Sequence, residues 1–402
     1  QLLLVDCNVL KCYNSYNCNV KMPEPCNFHA CHGKERSEHM SYITCGFIGL
    51  GLIGGSIAKA LKAFRRDVRI LAFDTNKETL ALALKEGIAD EAVSSINERF
   101  SSCDYLFLCA PVSNNDKNLT AIKEILSPDC ILTDVGSVKS TTFRCVEEMG
   151  LSPYFIGGHP MAGSERIGFA NSHALLLQNA YYLLTPSAEV PEKKVEAFRN
   201  LVADIGAIPL ILTPGEHDRI TAGISHLPHI IASSLVNFVK DNDTKDALMK
   251  QIAAGGFKDI TRIASSSPDV WQQICLTNSE NITEMLSLYI KALSSVKELL
   301  EKKDADALYA FFDSARTYRD SFVADANGSV ARIYDFTVNI DDRAGSMASI
   351  MNILAEHGLS IKNIGITHSR ERAEGAVRLE FYDKTSLAKA REVLCEKRYT
   401  IT

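Results

Sequence analysis

A chain of 402 residues, 46% hydrophobic and 23% charged, is too long for one average domain and long enough for two to four, each burying its own core. Its formal net charge of −6 leaves no basic surplus to hold nucleic acid or an anionic membrane. No uninterrupted apolar run approaches the roughly 20 residues needed to span a bilayer, and Leu2-Leu3-Leu4-Val5 is too short and wrongly flanked for a signal peptide, so a cytoplasmic protein is expected.

Five of the twelve cysteines, Cys7, Cys12, Cys18, Cys26 and Cys31, precede Met40. Their spacings, with His29, His32 and His39 nearby, match no paired C-x-x-C zinc template. Residues 1–39 are therefore expected to stand outside the working fold as a cysteine-rich extension ahead of the first clean strand. Cys45, Cys109 and Cys130 sit in apolar, strand-like runs where a thiol behaves as a small buried hydrophobe, and no disulfide framework is required.

From Ile43 the pattern is strand to Ile48, glycine turn to Gly55, helix to Phe64, then a strand from Val68 to Phe73. Apolar runs at Tyr105 to Cys109, Cys130 to Thr133, Tyr154 to Ile156 and Tyr181 to Thr185 continue the rhythm. The pattern predicts an α/β unit with a parallel, doubly wound sheet of Rossmann type over 40–214. An all-helical unit follows over 215–328, where Ile282, Met285, Leu286, Tyr289, Ile290 and Leu293 recur at helical spacing, as a bundle or a dimer face requires. Over 329–402 the order is β-α-β-β-α-β, a ferredoxin-like α+β plan. At its first strand-to-helix turn, Asp342-Arg343-Ala344-Gly345 resembles the ligand-binding turn of ACT regulatory domains, though without the usual proline before the glycine.

Gly49-Leu50-Gly51-Leu52-Ile53-Gly54 fits G-x-G-x-x-G, in which glycines permit the tight turn, the approach of a pyrophosphate and close packing of helix on strand. The pattern follows a strand, opens a helix and is answered by Asp74 at the end of the second strand. An acidic residue there accepts both ribose hydroxyls of NAD and repels a 2′-phosphate, so NAD is expected over NADP. Ala110-Pro111-Val112 falls where such folds line the cofactor cleft.

Asp134-Val135-Gly136-Ser137-Val138-Lys139 ends another strand at the carboxyl edge, where open α/β sheets bind ligands. Gly157-Gly158-His159-Pro160-Met161-Ala162-Gly163 places a histidine in what reads as a glycine-framed turn. Alone, His159 would read as an ordinary loop histidine. Beside a nicotinamide, a neutral imidazole is suited to removing a proton while hydride departs.

Together the fingerprint, the DVGSVK stretch, GGHPMAGSE, Ser225-His226-Leu227-Pro228-His229 and Gly255-Gly256-Phe257-Lys258-Asp259-Ile260-Thr261-Arg262 closely resemble the prephenate dehydrogenase family of tyrosine biosynthesis, from Met40 to the C-terminus. The resemblance implies oxidative decarboxylation of prephenate with NAD, with His159 as catalytic base and Ser137 on the same hydroxyl. It implies Arg262 as the carboxylate clamp, a role suited to a planar guanidinium. His217, His229, Ser225, Glu165 and Trp271 correspond to positions around the substrate. Feedback by tyrosine is implied as well, with Asp342, Gly345 and Asn363 as effector-binding residues, unless the ACT-like unit is purely structural; a homodimer is expected only from the apolar stripe of the helical unit. No metal site is expected, and the core carries no H-E-x-x-H or paired-cysteine motif.

The nearest rival is the same fold acting on arogenate, which the sequence does not separate from prephenate. A β-hydroxyacid dehydrogenase would be expected to rely on a catalytic lysine and gives no reason for GGHPMAG. A non-catalytic sensor of NAD and amino acids gives no reason for His159, Ser137 and Arg262 together.

Overall fold

The computed structural model describes residues 42–111, 115–163, 166–324, 334–341, 343, 345–368 and 374–401. The extension 1–39 lies outside the described residues.

Strands β1 (Ile43–Ile48), β2 (Val68–Phe73), β3 (Glu91–Ala92), β4 (Tyr105–Leu108) and β5 (Ile131–Asp134) alternate with helices α1 (Leu52–Phe64), α2 (Lys77–Lys85) and α3 (Asn115–Lys123). The strands form a parallel sheet in the order β3-β2-β1-β4-β5. Both faces are covered: Cys45, Phe47, Tyr105 and Phe107 enter one apolar cluster, and Ile48, Leu71, Leu106 and Leu108 another. Two-sided burial is why these strands read as near-continuous apolar runs. The order reverses between β1 and β4, opening a crevice at their carboxyl ends.

Helix α4 (Ser140–Glu148) leads into β6 (Ile156–Pro160), β7 (Tyr181–Pro186), α5 (Glu192–Asp204) and β8 (Ile208–Ile211). A parallel bridge from Leu132 to Phe155 joins the entry of β6 to β5, so β6 ends at the same edge as β5. Two expectations need correction here. Ser152–Tyr154 is a 3-10 turn rather than the start of a strand, because Pro153 fixes a helical φ and has no N–H for a ladder. Strand β7 runs antiparallel to β6, not parallel. A parallel return needs a crossover, usually a helix, and the described residues between these strands carry only 3-10 turns at Phe169–Asn171 and Ala174–Leu177.

The helical part comprises α6 (Pro214–Thr221), α7 (Leu227–Asn242), α8 (Leu248–Ile252), α9 (Gly255–Thr261), α10 (Pro268–Thr277), α11 (Ser279–Lys302) and α12 (Ala305–Ala324). Thr213 and Glu216 close a capping box on α6, with Pro214 in its first turn. A π turn, Ala222–His226, fuses α6 to α7. The resulting helix Pro214–Asn242 is, by length and composition alone, apolar enough to cross a membrane, which the interrupted sequence run did not suggest; its most apolar window has mean hydropathy 1.2 and is 17% buried. Its polar His217, Asp218, Thr221 and His226 are all buried against the protein. On α11, Ile282 is covered whereas Ile290 and Leu293 are exposed.

The C-terminal unit has β9 (Tyr334–Asp341), α13 (Ser346–Glu356), β10 (Ile361–His368), β11 (Glu374–Phe381) and α14 (Lys384–Glu396). The antiparallel order is β10-β11-β9, and Ile401 bridges to Val338 on the free side of β9. This is the expected ferredoxin-like, ACT-like plan, packed on Val338, Ile350, Leu354, Val377, Leu379 and Leu394.

Candidate active site

The turn after β1 is shaped by its glycines. Gly49 has φ +98, and a Cβ on it would come within 2.8 Å of the Ala110 backbone nitrogen on the neighbouring strand end. A Cβ on Gly51 would meet nothing within 4 Å, so the space in front of α1 is open. Gly51 is the N-cap of α1 and no side chain caps it, which leaves the first N–H groups of that helix for an anion. The Asp74 carboxylate accepts the Leu50 N–H at 2.7 Å and the Asn76 N–H at 2.8 Å, which fixes it at the end of β2 with lone pairs to spare. Gly49, Gly51, Asp74, Ala110 and Pro111 line one cavity of about 510 Å³. Gly51, Cys109, Ala110 and Pro111 also border a second, of about 490 Å³, which includes Leu52, Ile53 and Ser137. An elongated dinucleotide fits this pair of cavities, with its pyrophosphate at the uncapped helix end. Val112 lies outside the described residues.

His159 is the fourth residue of β6, not part of a turn. The glycine before it serves strand packing: a Cβ on Gly158 would lie 2.6 Å from the Asp134 carbonyl and 2.9 Å from the Tyr182 ring. Glycine in a strand interior marks such close approach of neighbouring backbone. Beneath the strand, Lys139 is fully buried, ion-paired to Asp134, and donates to the Gly158 carbonyl at 2.7 Å. It lines neither of these two cavities nor the one around His159, unlike the exposed lysine a β-hydroxyacid dehydrogenase would need.

The third cavity, about 380 Å³, brings together Ser137, His159, Ser225, His229, Arg262 and Trp271. It shares Ser137, Ala162, Gly163 and Ile167 with the second, so the three run in series along the carboxyl edge. The π turn places Ser225, and the first turn of α7 places His229, on the cavity wall; His229 Nδ1 donates to the Ser225 carbonyl at 2.9 Å and its ring stacks on Trp271 at 3.6 Å. Arg262 begins a 3-10 turn directly after α9. Glu165 lies outside the described residues.

His217 departs from its expected place at the substrate. It is fully buried, with Nε2 2.9 Å from His159 Nδ1 and Nδ1 2.8 Å from Asp218 Oδ1, and thus stands behind His159 rather than on the cavity wall. Asp218 in turn accepts the N–H of Lys139 at 2.7 Å and of Ser140 at 2.8 Å. Asp218 and Lys139 were not singled out from sequence, although an acidic residue beside His217 at the start of a capped helix, and a lysine in an otherwise buried run, were available signals.

Burial pushes the His159 imidazole well below its ordinary pKa, and His217 and Lys139 push it the same way. His217 is also lowered by burial, against the pull of Asp218. Burial alone would raise Asp218, but hydrogen bonds from His217, Ser140 and Lys139 outweigh it and hold the carboxyl below its usual range. His159 is therefore neutral at working pH, and the Asp218 carboxylate beyond His217 is anionic. In the C-terminal unit, Gly345 has φ +91 and precedes α13. Asn363 is exposed and its side-chain oxygen accepts the Ile364 N–H at 2.9 Å; Asp342 lies outside the described residues.

Family models described as prephenate dehydrogenase, nucleotide-binding domain, and prephenate dehydrogenase, dimerization domain, match residues 57–211 and 213–314. The prephenate dehydrogenase of Bacillus subtilis (strain 168) is 36% identical over 351 residues, 86% of this chain and 94% of that one. Among solved structures, prephenate dehydrogenase from Aquifex aeolicus in complex with hydroxyphenyl propionate and NAD+ has a TM-score of 0.67 at 31% identity, covering 71% of this chain and 100% of that one. Synechocystis arogenate dehydrogenase has a TM-score of 0.62 at 27% identity, covering 70% and 100%.

Proposed function

This chain belongs to the prephenate dehydrogenase family of NAD-dependent oxidoreductases, and on that premise we propose that it converts prephenate to 4-hydroxyphenylpyruvate and carbon dioxide in the route to tyrosine. The observation that carries the reading is one cavity holding His159, Ser137 and Arg262 and opening onto the cofactor cavity.

Prephenate has a hydroxyl at C4 and a carboxylate across the ring. NAD, held by the β1 turn and Asp74, supplies the acceptor for the hydride that leaves C4. His159 takes the hydroxyl proton at Nε2, and Ser137 hydrogen-bonds the same oxygen and orients it. Carbon dioxide departs from the opposite carbon, its bonding electrons make the ring aromatic, and the C4 oxygen recovers its proton from His159. Arg262 clamps a substrate carboxylate, while Ser225, His229 and Trp271 enclose the side-chain end. Enclosure matters because each polar contact is worth more where water is excluded.

The domain division 40–214, 215–328 and 329–402 follows as part of the same reading. The exposed apolar residues of α11 and α12, Ile290, Leu293, Phe311 and Phe312 among them, suit a homodimer built through the helical part. Tyrosine is the proposed effector of the C-terminal unit near Gly345 and Asn363, and the cytoplasm the place of action. The test is NADH formation by purified protein offered prephenate and arogenate separately, with and without tyrosine. Turnover of prephenate that tyrosine inhibits is expected; turnover of arogenate alone would change the substrate, and turnover of neither would overturn the reading.

A further inference from the structure

Resting on His159 as the base, we propose that Asp218 and His217 are positioning residues that lock the His159 ring into the tautomer with its lone pair on Nε2, and that Asp218 couples this lock to the loop bearing Ser137. The Asp218 carboxylate accepts two backbone N–H groups at the start of α4, those of its N-cap Lys139 and first residue Ser140. An ionised carboxylate so held has no proton to give. The proton in its 2.8 Å contact with His217 therefore sits on His217 Nδ1. Neutral His217 then offers only a lone pair at Nε2, which lies 2.9 Å from His159 Nδ1. That contact is a hydrogen bond only if His159 carries its own proton on Nδ1, which leaves Nε2 unprotonated.

Charge around the ring agrees with this assignment. Burial, His217, Lys139 and His226 disfavour the His159 cation, and Asp218 alone among its named neighbours favours it. When His159 receives the substrate proton, its Nδ1–H is already donated to His217, with the Asp218 charge one imidazole away. No proton needs to travel along the chain. Because Lys139 and Ser140 follow Ser137 by two and three residues, the carboxylate that fixes the tautomer also anchors the segment that presents Ser137. His217 is fully buried, so it acts through His159 and not on substrate.

The lock is read directly by nitrogen-15 NMR of the imidazoles in the wild-type NAD complex at neutral pH, without reference to turnover. Protons on Nδ1 of both His159 and His217 are expected; a proton on His159 Nε2 would overturn the proposal even if His159 is the base. Kinetics give an independent check, with NAD affinity as the control for folding. His217→Gln puts a side-chain oxygen near the vacated Nε2 position, so kcat should stay within about tenfold of wild type, whereas His217→Ala should lower kcat about 10²–10³-fold with KM for prephenate unchanged. Asp218→Asn should lower kcat and move the acid limb of kcat/KM to lower pH, because the anion that favours the His159 cation is gone. A raised KM with unchanged kcat in His217→Ala would make His217 a substrate contact, and equal kcat values for the Gln and Ala variants would remove its role as acceptor.

Discussion

Replacing Lys139 with Met isolates what holds β6 against β5 beneath the active site. Met has similar length and fills the same channel, so the change removes charge and hydrogen bonds more than volume. What remains is the Asp134 carboxylate, 2% exposed, with only the Gly136 and Gly158 N–H groups at 3.1 Å each. The Gly158 carbonyl loses its donor at the same time. Breaking a buried pair by removing one partner costs about 3–5 kcal/mol, most of it from the charge left behind. Adding Asp134→Asn removes that charge, so the double variant should recover, with a coupling of about 2 kcal/mol or more. Hydrogen exchange at the β5 and β6 amides reads the local opening free energy in this multidomain chain. A cost for Lys139→Met below about 1 kcal/mol, or strictly additive effects, would refute the reasoning.

Asp74→Ser removes the fixed carboxylate that meets the ribose, and should weaken NAD by about 10–100-fold, the worth of one or two charge-assisted hydrogen bonds. Titration of NAD and NADP binding checks it, and unchanged NAD affinity would show that Asp74 does not touch the ribose. Arg262→Ala should raise KM for prephenate with a smaller effect on kcat, and steady-state kinetics showing an unaltered KM would remove it as the carboxylate clamp. The buried imidazoles also set an acid limit. His159, His217 and His226 all titrate below their ordinary value when folded, so the unfolded chain takes up protons first and stability falls as pH drops below about 6.5. With His226 lowered to about 4 by burial, its share of that loss is about 2 kcal/mol at pH 5. Urea unfolding of His226→Asn at neutral pH and pH 5 should show a loss smaller by that amount, and an identical pH dependence would contradict it.

The glycine fingerprint and Asp74 were legible because their requirement is local: a turn, an uncapped helix end and an acid at the next strand end, all at fixed spacing. Ser137 and Arg262 were legible only as parts of motifs, since their meeting in one cavity depends on the helical part folding over the sheet edge. Local reading failed where the cause was distant. Gly157-Gly158 looked like a turn, yet Gly158 is needed because Asp134 and Tyr182 occupy the space its Cβ would take. His217 could be named as part of the site, but not its place behind His159, which depends on a hydrogen bond across 58 residues. The role of Asp218 depends on backbone donors 78 and 79 residues earlier, a relation no periodicity records. In the same way, the sense of β7 follows from a connection whose described residues carry only 3-10 turns, and not from the strand's own composition.

The proposed reaction depends most directly on His159 as the group that takes the hydroxyl proton. His159→Asn keeps a polar side chain of similar reach but has no basic nitrogen. Prephenate-dependent NADH formation by this variant should fall about 10²–10⁴-fold at saturating substrate, with NAD affinity unchanged. A rate within a few-fold of wild type would contradict the mechanism.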